Sequence, residues 1–195
     1  MPTIRTSLRA PLTAILILAC TIPASAQWKD FIITLTHDTI FGDLKFSFGK
    51  PSKLETEDSS YRVDIRSVEY WCSISKRTLN RRVMLPGKKN YLFLPVLESG
   101  AISLYYNTIS NGGNRIATTT YYAQKGDSAV VEVWTNGGGL LGGGEKARRQ
   151  AMGALIADNP AVKKIFDDDT QYAPIDVQYY IHEYNMSTAS PPANP

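Results

Sequence analysis

Between residues 31 and 134 apolar and polar side chains alternate in short runs. In IFGDLKFSF, Ile40, Leu44, Phe46 and Phe48 occupy every second position and Gly42 takes the remaining one. A period of two buries one face of a β-strand. The apolar run FIITL precedes this stretch, with HDT as the turn between them, and further strands are predicted at 61–65, 70–74, 91–97, 101–106, 116–122 and 129–134. Two joins have hairpin character, ESG between YLFLPVL and AISLYY, and KGDS between TTTYYAQ and AVVEVW. Successive hairpins imply an antiparallel sheet, because parallel strands need crossovers of about a dozen residues or more.

Past Gly144 the period changes. Ala147, Ala151, Met152, Leu155 and Ile156 line one side of a helix that starts near Glu145. Asp158, Asn159 and Pro160 stop it and begin another, with Asn159 as N-cap and Pro160 in the first turn, where a missing N–H costs nothing. A third helix is predicted over 174–185, striped by Val177, Tyr180, Ile181 and Tyr184. Strands followed by segregated helices describe an α+β protein, its helical segment packed on the sheet, since helices this short are marginal alone. The expected layout is an antiparallel β domain at 27–134, a glycine-rich linker at 135–144, helices at 145–185 and a disordered proline-rich tail at 186–195.

The segment before that layout reads differently. Residues 1–26 carry Arg5 and Arg9, an apolar stretch and then Ala24-Ser25-Ala26, the order of a secretory signal peptide cleaved after Ala26. Pro11 and Pro23 break the apolar stretch, which falls short of the roughly 20 residues that span a bilayer. A rival reading makes Cys20, in ILAC, a lipidation site that tethers the protein. Cleavage leaves Cys72 alone, so no internal disulfide forms. It also removes two of the 21 basic residues and none of the 18 acidic ones, so the exported chain is near neutral. Nothing global then argues for nucleic acid, whose partners carry a strongly basic face.

Candidate chemistry is sparse. Glycines at 137–139 and 142–144 before a helix suggest a phosphate loop, but Glu145 stands where the lysine belongs and Ala147 where the hydroxyl belongs. An acid at a helix start also takes the place of an anion. A linker is the expected role, with Lys146, Arg148 and Arg149 as a residual anion site. A second basic cluster, Lys76, Arg77, Arg81, Arg82, Lys88 and Lys89, flanks VMLPG without an acid. Its Arg81 and Arg82 are candidates for an acidic glycan, lipid headgroup or acidic partner, against the plainer reading of solvated hairpin arms. Tyrosine pairs at 105–106, 121–122 and 179–180 each send one ring to either side of their element. On the strands, Tyr105, Tyr106, Tyr121 and Tyr122 either form an aromatic contact surface or pack beneath the helices.

Catalytic sets are incomplete. A thiol enzyme would need His37 or His182 beside Cys72, which the sequence places in the strand-like VEYWCSISK. No serine has a G-x-S-x-G setting and neither histidine belongs to an H-E-x-x-H pattern. Asp167, Asp168 and Asp169 lack the alternation and terminal glutamate of a calcium loop. No cofactor and no metal is expected.

Four segments carry a resemblance: HDTIFGDL at 37–44, FLPVLESGAISLYY at 93–106, YYAQKGDS at 121–128, and LIADNPAVKKI with IHEYN at 155–165 and 181–185. Together they resemble an uncharacterised group of exported β-rich proteins of Bacteroidota-type bacteria, departing from it at His37, Ser99 and the long glycine stretch. The resemblance implies export and architecture and carries over no catalytic residue. The expectation is therefore an exported, non-catalytic binding or interaction module of the periplasm or cell surface, with a protein or glycan partner, no nucleic acid, and membrane contact only through Cys20. The rivals are a periplasmic hydrolase or thiol enzyme using Cys72 or a histidine, and a lipid-anchored structural protein of the envelope.

Overall fold

A computed structural model describes residues 29–47, 49–110, 117–137 and 144–189. The signal segment at 1–26, Cys20, most of the glycine stretch and the tail beyond 189 lie outside them. The elements are β1 (Phe31–Thr34), β2 (Thr39–Phe41), β3 (Asp43–Ser47), β4 (Lys50–Glu55), β5 (Ser60–Arg62), β6 (Val68–Ser73), β7 (Thr78–Val83), β8 (Leu92–Glu98), β9 (Ile102–Ile109), β10 (Thr118–Lys125), β11 (Val131–Thr135), α1 (Glu145–Leu155), α2 (Pro160–Asp168) and α3 (Pro174–Ala189).

The protein is α+β as the patterning predicts. An eight-stranded antiparallel sheet runs β11-β10-β9-β8-β7-β6-β1-β2, and β3-β4-β5 form a second sheet. From β6 to β11 every strand pairs with its sequence neighbour, which is what consecutive hairpins produce. Three expectations change. The long strand IFGDLKFSF divides at Gly42 into β2 and β3, in different sheets; a Cβ at Gly42 would stand 2.4 Å from the Glu55 carbonyl, so only glycine allows the crossing. Strands β4 and β7 were not predicted, because KPSKLE and TLNRRV are too polar to show an apolar period. Helix α3 continues to Ala189, so 186–189 are helical instead of tail.

Strand β8 shows how the layers divide. Its Phe93 joins the core beneath the small sheet with Ile32, Leu44, Leu54 and Trp71, and Leu97 joins the core beneath the helices. Leu94 and Val96, with the opposite parity, join a third cluster on the other face, where Leu85, Tyr105, Tyr122 and Val130 meet. Small sheet and helices thus lie side by side on one face, and the residues after β7 fold back over the other. Under the helices, Ile102, Leu104 and Val133 meet Met152, Ile156, Val177 and Ile181.

Polar groups fix how the helices seat. Asn185 of α3 accepts from the Ile102 N–H and donates to the Ile102 carbonyl, both at 2.8 Å. Gly100 leaves room for it, since a Cβ there would lie 2.5 Å from the Asn185 side chain. Lys125 donates to the Leu155 carbonyl at the end of α1 (2.9 Å) and to Asp158 (2.6 Å), which also accepts from the Tyr184 hydroxyl. The Lys125 hydrogen bond holds the Asp158 carboxyl below its ordinary range. Asn159 caps α2 by accepting from the Val162 N–H at 3.2 Å. The segments 155–165 and 181–185 therefore meet 121–128 and the residues around Ile102 here, at the seam between sheet and helices, whereas 37–44 lies at the far end of the large sheet.

Candidate functional site

Strand β7 carries the chemistry that the sheet presents to solvent. Arg77, at φ 51°, closes the turn that leads into it from β6. With side chains alternating, Arg81 and Val83 face one side of the sheet, and Asn80 and Arg82 the other. Each arginine borders a cleft.

The cleft on the Arg81 side, about 720 Å³, is roofed by the segment after β7, whose Leu85 is buried against Leu94, Tyr105 and Tyr122. Arg81 donates to the Tyr105 hydroxyl at 3.1 Å, and Tyr105 donates in turn to Gln124 at 3.3 Å. The guanidinium also lies 3.6 Å from Glu69 and over the Tyr70 ring at 5.0 Å. His37 sits 3.4 Å from the same glutamate. Here Arg81 is neutralised and oriented within the protein, although Arg82 and Lys88 also reach the lining.

The cleft on the Arg82 side, about 630 Å³, differs in kind. Its floor includes Trp71 and Asn80, paired across β6 and β7, and Phe93. Lys50, Arg66, Arg82 and Lys89 border it, and no aspartate or glutamate does among the described residues. Arg82 donates to the Arg66 carbonyl at 2.8 Å and stacks on Tyr91, its guanidinium carbon 3.8 Å from the ring centre. Arg66 pairs locally with Asp64, but Lys50, Arg82 and Lys89 have no carboxylate partner among the described residues. Trp71 and Asn80 are 6% and 4% exposed, yet the indole Nε1 and the amide Nδ2 have no hydrogen-bond partner among the described residues. Buried donors of this kind cost about 1–3 kcal/mol each. The Thr78 and Tyr122 hydroxyls are also unpartnered; burial, and then Glu132, push the Tyr122 phenol up to about 12.

The other sequence candidates fall elsewhere. Tyr105 and Tyr122 are fully buried and Tyr106 and Tyr121 half-buried, Tyr121 against Trp134, so the four rings form no open aromatic surface. Alternation does send them to both faces, but both faces are covered at that end of the sheet. Lys146, Arg148 and Arg149 are not gathered on one target. Arg148 turns to Glu132 of edge strand β11 at 3.2 Å, with side chains 12% and 4% exposed. Arg149 donates to the Phe166 and Asp169 carbonyls at the end of α2, while Lys146 is exposed beside it. Of the glycine stretch, Gly144 precedes α1 without a side-chain cap, Glu145 occupies the first turn, and 138–143 lie outside the described residues.

The thiol set does not assemble. Burial, and then Asp30, raise the Cys72 thiol, which keeps it protonated. His37 pairs with Glu69 and His182 with Glu98 at 3.2 Å, so neither imidazole serves Cys72. Asp167 and Asp168 pair with Lys163 and Lys164, and Asp169 accepts from the Tyr180 hydroxyl. No group of three or more histidine, cysteine, aspartate or glutamate side chains is gathered among the described residues, and no described helix is long and apolar enough to cross a membrane.

Sequence reasoning found Arg81 and Arg82 but missed Trp71, Asn80, Tyr91, Lys50 and Arg66. The one signal was a central tryptophan in VEYWC facing an asparagine in TLNRRV, and it becomes legible only once β7 is known to be a strand. Compared with family models, curated proteins and solved structures, the chain has no significant match.

Proposed function

We propose that the protein is an exported, non-catalytic binding module of the bacterial periplasm or cell surface, and that it recognises its partner around β7. The observation that carries the proposal is the placement of neighbouring Arg81 and Arg82 on opposite faces of a central strand, each beside a cleft of several hundred cubic ångströms. That is the size range of small-ligand sites, about 300–1,000 Å³. Support for export comes from the pattern of residues 1–26. The raised Cys72 thiol and the separately paired histidines weigh against the hydrolase and thiol-enzyme reading.

The test is retention of the purified protein on a polyanionic matrix. Binding is expected to weaken with salt, as exposed charge interactions do, and to vanish when Arg81 and Arg82 are reversed to glutamate. Retention unchanged by that reversal sinks the proposal. Fractionation of expressing cells, with the N-terminus of the exported protein read, checks cleavage after Ala26.

A further inference from the structure

Resting on that reading, we infer that the cleft on the Arg82 side binds a short acidic oligosaccharide whose sugar rings carry carboxylates. Three features of the cleft converge on this class.

The first is the sign and spread of its charge. Lys50 comes from β4, Arg66 from the turn before β6, Arg82 from β7 and Lys89 from the segment before β8, with no carboxylate among the described lining residues. Cations placed around the rim from four parts of the chain suit a ligand whose negative charge is distributed along its length. A lone phosphate concentrates charge at one point and is held by converging backbone N–H groups at a helix start or nest. The cleft is walled by strands and side chains.

The second is hydrogen-bond polarity. Trp71 Nε1 donates only, and Asn80 Nδ2 donates, so both call for acceptor oxygens. Ring and hydroxyl oxygens of a sugar supply them once the cleft wall shifts to admit the ligand, since both N–H groups are buried. Occupancy then relieves a cost that the unliganded protein carries.

The third is shape. Tyr91 is 49% exposed at the mouth, and Trp71 and Phe93 line the interior, giving flat apolar surface beside polar groups. Strands β6, β7 and β8 each have a partner on both sides. An extended acidic peptide binding by strand addition needs a free strand edge, and this cleft offers none.

Titration calorimetry with a trimeric oligouronate, the matching neutral trimer, ATP and inorganic phosphate tests the assignment. The oligouronate is expected to bind, and the neutral trimer to bind at least about tenfold more weakly, because charged contacts are lost. Arg82→Gln is expected to weaken the oligouronate by about tenfold or more. Lys89→Gln, at an exposed position that folding does not require, should weaken it by a smaller factor. Trp71→Phe, which keeps a ring and deletes the N–H, should weaken acidic trimer and neutral trimer alike.

Equal affinity for the neutral trimer, tighter binding of ATP or phosphate, or indifference to both Arg82→Gln and Lys89→Gln overturns the inference. Retention on the polyanionic matrix that depends on Arg81 alone would overturn this cleft while leaving the broader binding role standing. Absence of any retention ends both.

Discussion

The two ends of the large sheet treat their polar groups in opposite ways. At the helix-covered end, Asn185 satisfies both backbone groups of Ile102, Lys125 joins α1 to Asp158 and Tyr184, and Arg148 meets Glu132. At the other end, Trp71 and Asn80 are nearly as buried, yet among the described residues their side-chain N–H groups meet no partner, and Lys50, Arg82 and Lys89 gather without a carboxylate partner. Buried polar groups are as a rule satisfied, and those left without a partner reduce stability; the Tyr122 hydroxyl of β10 is left so as well among the described residues. Under the proposed function, the contrast assigns recognition to the β6–β8 end and architecture to the seam.

The largest effect is expected where a charge pair is most enclosed. Arg148→Met takes the guanidinium away from Glu132, a side chain only 4% exposed, and should cost about 3–5 kcal/mol in denaturant unfolding. Adding Glu132→Leu should recover most of that, because the buried carboxylate is gone as well. A single variant as stable as the parent would show that the pair does not hold α1 to the sheet edge. Next in size is Asn185→Leu, which removes the partner of two buried backbone groups and should cost about 2–4 kcal/mol. Its midpoint staying within error of the parent would dissolve the contrast between the two ends.

These differences also explain what the sequence made legible. The meander from β8 to β11 and the starts of all three helices follow from period, because those segments bury one apolar stripe, and the start of α2 also from its cap, Asn159 followed by Pro160. Strand β7 escaped because the apolar work of TLNRRV is shared with arginine stems: Arg81 lies over Tyr70 and Arg82 over Tyr91, where long side chains cover apolar surface and keep their charge at the edge. Hidden with β7 was the pairing of Asn80 with Trp71, and so the cleft itself. The tyrosine pairs left two readings open for the converse reason. Period correctly placed their rings on alternate faces, but whether a face meets solvent depends on the segment carrying Leu85, which folds over it from another part of the chain.

The smallest expected effect is the sharpest test of the comparison, because it repeats one substitution at the opposite end. Asn80→Leu keeps the number and branching of the side-chain heavy atoms and removes an amide with no hydrogen bond to lose among the described residues, so unfolding stability should stay within about 1 kcal/mol of the parent or rise. The Asn185 variant loses made bonds, and the Asn80 variant loses only a desolvation cost. A drop of about 2 kcal/mol or more at Asn80 would mean that its amide supports the strand pairing opposite Pro95 and Trp71. Unchanged or higher stability, together with lost oligouronate binding, would identify Asn80 as a residue kept at a cost to folding for the sake of what the cleft holds.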